Sequence, residues 1–374
     1  MLVPSGVAAK LGPASSMNRF LFLFLWVFVT AGLAASPVKP DERVLLFPTI
    51  GWQTDLGWEL DVHGLVFESH AHAILTPLLR KAFGLQSEEL DASGKALFAE
   101  RANYFMVDNE RHKRVSIQIG SKKETLSPTG ANGHFHAHFA FSSAEWLQAG
   151  LPALLTNGLV EIETVSANPL VHPIRGDIYF VEKQGLSVIS DIDDTIKVTD
   201  VTDQHAMLCN TFARPYQAVP GMAEIYRHWA ADYHARFHYV SASPWQLFLP
   251  LSTFLETNQF PAGTFHLKQF RLKDETVFNL FQSPEKYKPL VIEPLLKKFP
   301  QRKFILVGDS GEKDPEAYGK LARKYPAQIQ QIFIRELRSD NQNAVRYQTA
   351  FSQVPAEKWT VFRDPSEIRK LRSF

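Results

Sequence analysis

The chain has 374 residues, 45% of them hydrophobic and 21% charged, and a formal net charge of +1. That length accommodates two ordinary domains, and the charge balance excludes a global pull toward nucleic acid or anionic membrane, so any hold on phosphate must be local. Cys209 is the single cysteine, which excludes an internal disulfide and leaves stability to packing.

Arg19 introduces an apolar run from Phe20 to Val29 that ends in small residues through Ala34 and Ala35. A basic start, a short apolar stretch and a small-residue exit have the form of a cleavable signal peptide; the run falls short of the ~20 residues a spanning helix needs. Residues 1–35 are therefore expected to be a signal peptide with an N-terminal extension, initiated at Met1 or Met17. The mature protein is expected in a periplasm, a secretory lumen or the medium.

From 36 to 182 the signals are strand-like. Trp58, Leu60 and Val62 alternate with Glu59, Asp61 and His63, the period-two pattern of a half-buried strand. Val115, Ile117 and Ile119 repeat it, as do Phe135, Phe139 and Phe141, then Val160, Ile162 and Thr164, and Ile178 to Val181 adds another strand. Short strands between turns predict a smaller strand-rich, β-sandwich-like domain, interrupted by helix near Leu78–Phe83 and Glu88–Ala99. His134, His136 and His138 share one strand face; a polar face is the expectation, and a zinc site is the alternative if a further ligand came from elsewhere. Trp52, Trp58 and Trp146 are expected to be aromatic core.

From 183 to 374 the pattern changes. Buried-type apolar runs at Ser187–Ser190, Phe237–Val240, Phe304–Val307 and Ile332–Ile334 alternate with helical stretches at Met222–Trp229, Trp245–Leu255, Leu290–Phe299 and Glu316–Tyr325. This alternation predicts an α/β domain with a Rossmann-like parallel sheet. Ligands of such sheets bind beyond the carboxyl ends of the strands. Asp191-Ile192-Asp193-Asp194-Thr195 follows the first run, Ser241-Ala242-Ser243 the second and Gly308-Asp309-Ser310-Gly311-Glu312-Lys313-Asp314 the third. Lys286 and Lys288 precede a helix.

A carboxylate can attack phosphorus and split one difficult displacement into two easier steps. Attacker and phosphate are both anionic, so a hard cation such as Mg²⁺, held by oxygen ligands, has to stand between them. Asp191 and Asp309 are the expected carboxylate ligands. Asp193, two residues from Asp191 on an extended segment, is placed to protonate the leaving oxygen and later to activate water. An aspartate-rich turn after a strand can equally be a helix cap or a calcium loop; the ordered set of acid pair, hydroxyl, lysine and GDxxxxD is what argues for catalysis.

That set resembles the haloacid dehalogenase superfamily of phosphohydrolases. Gly185 to Lys197, Pro220-Gly221-Met222 with Tyr226, Tyr239 to Trp245, and Gly308 to Glu316 resemble, more narrowly, the catalytic domain of the actin-patch-associated phosphatidate phosphatase family. The resemblance covers about 175–335 well and the strand-rich half loosely. It implies Asp191 as nucleophile, Asp193 as general acid/base and Lys288 as the stabilising lysine, with Lys286 the weaker candidate. It implies a metal site among Asp191, Asp193, Asp309 and Asp314, the last orienting bound water or the lysine. Thr195, which also steadies the loop, with Ser241, Ser243, Lys268 and Arg271, is expected to face the substrate. The family usually has histidine where Tyr287 stands and arginine where Lys268 stands, which leaves substrate preference open.

The resemblance implies hydrolysis of phosphatidate to diacylglycerol; a soluble phosphomonoester is the alternative, and a non-catalytic cation-binding adhesion module the competing class. Phe265, Phe270, Phe278, Leu280 and Phe281 lie among Lys268, Arg271 and Lys273. A helix packed on the sheet with a solvated basic edge is expected there, peripheral contact with a lipid interface being the alternative. His205–Pro220, with Phe212, Arg214 and Tyr216, is a candidate lid. Asp200 and Asp203 are expected either to support the metal site or to cap the next turn. No interleaved basic and aromatic stretch argues for nucleic acid, and no protein partner is indicated.

Overall fold

A computed structural model describes residues 35–68, 75–269, 287–338 and 343–372. The expected signal peptide, His70, His72, Phe270, Arg271, Lys273, Phe278, Leu280, Phe281 and Lys286 lie outside the described residues. Ala35 onward forms one compact unit.

Among the described residues the first half builds a mostly antiparallel sheet. Its main strands are β1 (Glu42–Phe47), β2 (Thr49–Gln53), β3 (Gly57–Glu68), β4 (Ser116–Ile119), β5 (Lys122–Thr125), β6 (His134–Ser142), β7 (Leu159–Val165) and β8 (Arg175–Val181). They run β1-β3-β2-β8-β7-β4-β5, with β6 also paired to β3. Only β2 and β8 are parallel among these pairs. Helices α1 (Leu75–Ala82) and α2 (Ala92–Asn103) interrupt the strands where helix was expected. Asp91 caps α2 by accepting the Gly94 N–H.

The second half is a six-stranded parallel sheet of β9 (Leu186–Ser190), β10 (Arg236–Pro244), β11 (Gly263–Lys268), β12 (Lys303–Asp309), β13 (Ile329–Arg335) and β14 (Trp359–Phe362). The order is β11-β10-β9-β12-β13-β14, that of a doubly wound sheet. Helices α3 (Met222–Asp232), α4 (Phe248–Thr257), α5 (Tyr287–Lys298) and α6 (Asp314–Lys324) supply crossovers. In this order the chain departs in opposite directions from β9 and β12, so a crevice forms between their carboxyl ends. Asp191 follows β9 and Asp309 ends β12.

Residues 263–268 correct one expectation, for they form strand β11 and not helix. Phe265 and Leu267 are buried while His266 and Lys268 are more open, a period of two that suits a sheet edge. Gly263 permits the pairing, since a Cβ there would meet the Phe237 carbonyl oxygen at 2.3 Å.

The two sheets share hydrophobic cores. Phe47 of β1 packs on Trp245 and Phe248, ring centres 4.3 and 5.0 Å apart, and Ile50 and Trp52 of β2 cluster with Ile189, Val240 and Ile292. Trp58 and Trp146 stack at 4.6 Å.

Candidate active site

Asp191 emerges from β9 in the crevice, its N–H donating to the Val307 carbonyl of β12 at 2.9 Å. Beyond it the chain turns sharply. Asp194 has φ +55°, a left-handed conformation aspartate tolerates better than most residues. The Asp194 carboxylate accepts the N–H groups of Thr199, Asp200 and Val201 at 2.6–2.9 Å. Arg335, ending β13, donates to the Asp194 carbonyl at 2.6 Å. The loop is thus fastened to its own continuation and to β13.

The carboxylate of Asp191 faces Lys288 Nζ at 2.9 Å and accepts the Thr195 hydroxyl at 3.1 Å. Lys288, buried at the start of α5, also pairs with Asp314 and lies 3.7 Å from Glu312. Gly308 makes room for Asp314: a Cβ there would fall 2.1 Å from Asp314 Oδ2. Asp309 Oδ1 accepts the Gly311 N–H at 2.6 Å, while its Oδ2 is buried with no hydrogen-bond partner. Among the described residues, Asp191, Asp309 and Asp314 form the acidic group able to hold a metal ion, one oxygen of each lying within 4.8 Å of the others.

Burial pushes the Asp191 carboxyl well above its ordinary range; Lys288 opposes this and the neighbouring acids Asp314, Glu312 and Asp193 reinforce it. Asp309 is raised the same way, by burial first and then by Asp314, Asp191 and Glu312. Glu312 is raised to about 7, by burial before anything else. Burial works against the Lys288 ammonium, but Asp191, Asp314 and Glu312 around it outweigh burial and hold it charged. An all-oxygen donor set, an orphaned buried carboxylate oxygen and acids reluctant to ionise are what a hard divalent cation would relieve. The residues fit such an ion.

Asp193 stands apart. The turn carries its carboxylate away from the acidic trio, so it does not join that group as a ligand. Oδ2 accepts the hydroxyls of Ser241 at 2.9 Å and Ser243 at 2.7 Å, and Oδ1 meets Lys197 Nζ and the Thr199 hydroxyl, both at 2.8 Å. Burial alone would raise its pKa; Lys197, Ser243 and Thr199 together overcome that and bring it down to about 2. Ser241 and Ser243, expected to face substrate, are engaged with Asp193. Lys268 lies at the carboxyl end of edge strand β11, two strands from Asp191.

Residue-type reasoning missed four participants. Lys197 and Thr199 hold Asp193, Asp194 ties the loop and Glu312 approaches Lys288. Lys197 and Glu312 sat inside the quoted motifs; their signal was a charged residue in an otherwise apolar or glycine-rich stretch. Asp203 caps the helix Gln204–Leu208, accepting the Ala206 N–H at 3.0 Å, and Asp200 accepts from Asn210 at 2.8 Å. In the candidate lid, Tyr216 lies between Arg101 of α2, 3.9 Å from its ring centre, and Lys197 at 4.7 Å. The first half therefore reaches the loop that follows β9 through α2.

The histidines do not assemble a metal site among the described residues. His63 and His134 share a hydrogen bond at 2.9 Å, and His138 lies 2.9 Å from Asp61.

Residues 186–336 match the family model described as phosphatidate phosphatase APP1, catalytic domain. A Saccharomyces cerevisiae protein named phosphatidate phosphatase APP1 is 42% identical over 161 residues, which are 42% of this chain and 27% of that protein. An uncharacterized Schizosaccharomyces pombe protein is 29% identical over 197 residues, 52% of this chain and 32% of its own. The chain thus spans about a third or less of the length of these curated relatives.

Proposed function

We propose, from the premise that residues 186–336 belong to the phosphatidate phosphatase APP1 catalytic-domain family, that this chain is a Mg²⁺-dependent phosphomonoester hydrolase working through an aspartyl-phosphate on Asp191. Phosphatidate is the proposed substrate, after the function named for the yeast relative, with diacylglycerol and phosphate the products. One observation carries the reading: the buried, partnerless oxygen of Asp309 beside Asp191, Asp314 and Lys288. A non-catalytic loop has no reason to keep such a costly group unpaired.

Asp191, Asp309 and Asp314 would hold the ion, which when bound neutralises charge between the carboxylates and the phosphoryl group. Asp191 attacks phosphorus, forming its O–P bond as the bond to the alcohol oxygen breaks, and Lys288 balances the charge that gathers on the phosphoryl oxygens. Asp193 delivers a proton to the departing alcohol. Water then attacks the phosphorus, its proton passes to Asp193, and the Asp191–phosphorus bond breaks to release phosphate. In the state described here Asp193 is a carboxylate held by Ser241, Ser243, Thr199 and Lys197. A phosphoryl group that draws the two serine hydroxyls to itself raises the affinity of Asp193 for the proton it must carry. We further propose that the protein acts outside the cytoplasm after signal cleavage, which N-terminal sequencing of exported protein tests.

Phosphate release from phosphatidate vesicles with Mg²⁺ tests the main reading. Asp191→Asn is expected to remove turnover by at least ~10³-fold, as loss of a covalent nucleophile does. Undiminished release by Asp191→Asn overturns the mechanism. Release from soluble phosphomonoesters but not from phosphatidate replaces the substrate and keeps the chemistry.

A further inference from the structure

A cavity of about 570 Å³ lies where the two sheets meet. Ile50, His63 and His136 line it from the first half; Trp245, His266 and Tyr287 line it from the second. We propose that this cavity receives the uncharged, oxygen-bearing alcohol part of the phosphomonoester, so that the strand-rich half helps select the substrate. The inference rests on the phosphomonoesterase reading above and adds a site to it.

Position is the first argument. Trp245 lies two residues beyond Ser243, whose hydroxyl is 2.7 Å from Asp193. Tyr287 directly precedes Lys288, whose Nζ is 2.9 Å from Asp191. His266 is on β11, two places from β9 in the sheet, hence roughly 10 Å away at ordinary strand spacing. Trp245 follows the carboxyl end of β10, the side on which a ligand of such a sheet arrives. The alcohol oxygen leaves from the phosphorus at Asp191, so the remainder of the substrate must extend to some neighbouring space. Two residues of its lining, Trp245 and Tyr287, lie within two chain positions of Ser243 and Lys288.

Chemistry is the second. Burial holds the His63 imidazole well below its usual pKa, with His136, His134 and His266 adding to the effect. Burial, with Lys298, brings His266 down to about 4. A neutral imidazole offers one donor and one acceptor, which suits a hydroxyl or an ester carbonyl. Asp61, also in the lining, is matched by Lys298 Nζ at 2.7 Å and by His138 at 2.9 Å. Among the described residues that line the cavity there is no lysine or arginine to favour a second phosphate. Tyr287 supplies an independent pointer, because its hydroxyl is buried without a hydrogen-bond partner among the described residues; a ligand oxygen would satisfy it.

Ester carbonyls of a glycerolipid and hydroxyls of a small polyol share this chemistry, and a kinetic comparison separates them. Hydrolysis of dioctanoyl phosphatidate and of glycerol 3-phosphate is compared for wild type, Val291→Phe, which fills the cavity from α5, and His136→Ala, at an exposed position on β6. Inorganic phosphate serves as a competitive inhibitor that reaches only the acidic centre. The expected result is a rise in KM of tenfold or more for one ester, kcat within twofold and the phosphate inhibition constant unchanged. A rise confined to dioctanoyl phosphatidate assigns the cavity to acylglycerol, and one confined to glycerol 3-phosphate assigns it to polyols. Unchanged KM for both esters in both variants overturns the cavity assignment while the phosphatase reading stands. Absence of wild-type turnover on both esters overturns that reading and this one with it. If Val291→Phe does not fold, His136→Ala alone decides.

Discussion

The acidic centre and the imidazole-lined cavity are neighbours, both bury titratable groups, and they dispose of charge in opposite ways. In the centre, Asp191, Asp193, Asp309, Glu312 and Asp314 are set against Lys197 and Lys288, so acid outnumbers base by five groups to two. In the cavity burial disfavours the charged forms of His63 and His266, and the one carboxylate of the described lining, Asp61, pairs with Lys298. Burying unbalanced charge is costly; a protein that retains it has a use for a cation there. The contrast teaches that one region is built to be completed by a positive ion and the other to receive something neutral.

The largest effect that can break this contrast comes from Asp309. Asp309→Asn removes a buried carboxylate whose Oδ2 has no partner. Activity is expected to fall by roughly 10²-fold or more, as it does when a group stabilising transition-state charge is lost. The sharper readout is thermal. Without Mg²⁺ the variant should melt no lower than wild type, because burial already disfavours the charge it loses. With saturating Mg²⁺ wild type should gain stability by mass action and the variant should not. An equal Mg²⁺-induced rise in both proteins would place the ion elsewhere and end the contrast.

Sequence exposed these two regions unequally, for physical reasons. The acidic centre is made of short segments following apolar strands: Asp191 after Ser187–Ser190, Asp309 at the end of Phe304–Val307 and its continuation. Strand ends and motif spacing are local properties, and the parallel order brings them together. What local reading could not give was the turn at Asp194, which sends Asp193 toward Ser241 and Ser243 instead of toward the trio. The cavity depends on contacts between residues far apart in the chain, such as His63 with Trp245, ring centres 4.6 Å apart, and no periodicity announces those. Strand β11 was misread because a six-residue edge strand, Gly-Thr-Phe-His-Leu-Lys, is too short for its period of two to be told from a helical pattern. Strand β14, four residues at the opposite edge, carried too little pattern to notice.

A second measurement sharpens the neutral side. His134 and His266 are each lowered to about 4, by burial first, against about 6.5 in an unfolded chain. Between these values the unfolded state binds more protons, so stability should fall as pH drops from 6.5 toward 4, by up to about 3 kcal/mol for a fully buried group. Asp191 and Asp309, raised by burial, act with the opposite sign in metal-free protein, so wild type alone is ambiguous. His134→Gln isolates the imidazole: over that interval its stability should depend on pH less steeply than wild type, by roughly one proton, about 1.4 kcal/mol per pH unit. Equal slopes in denaturant titrations would mean that His134 is not held neutral.

The smallest effect concerns a cation at the cavity's margin. Lys298 Nζ lies 2.7 Å from Asp61 and 3.4 Å from the centre of the Trp52 ring, and burial lowers its pKa despite the carboxylate beside it. Asp61 is about a third exposed, with side-chain accessibility of 37%, so the ion pair is screened and contributes little. The ring is the firmer partner, at about 0.5–1 kcal/mol. Lys298→Met keeps the aliphatic stem and removes the charge, and a loss of about 1 kcal/mol is expected in chemical denaturation. In a Trp52→Leu background that loss should shrink by about half or more, because the ring contact is already gone. If instead the loss is undiminished there and disappears in Asp61→Asn, the carboxylate dominates. The cavity margin would then share the charge-holding character of the acidic centre, and the line between the two regions would have to be redrawn inside the sheet junction.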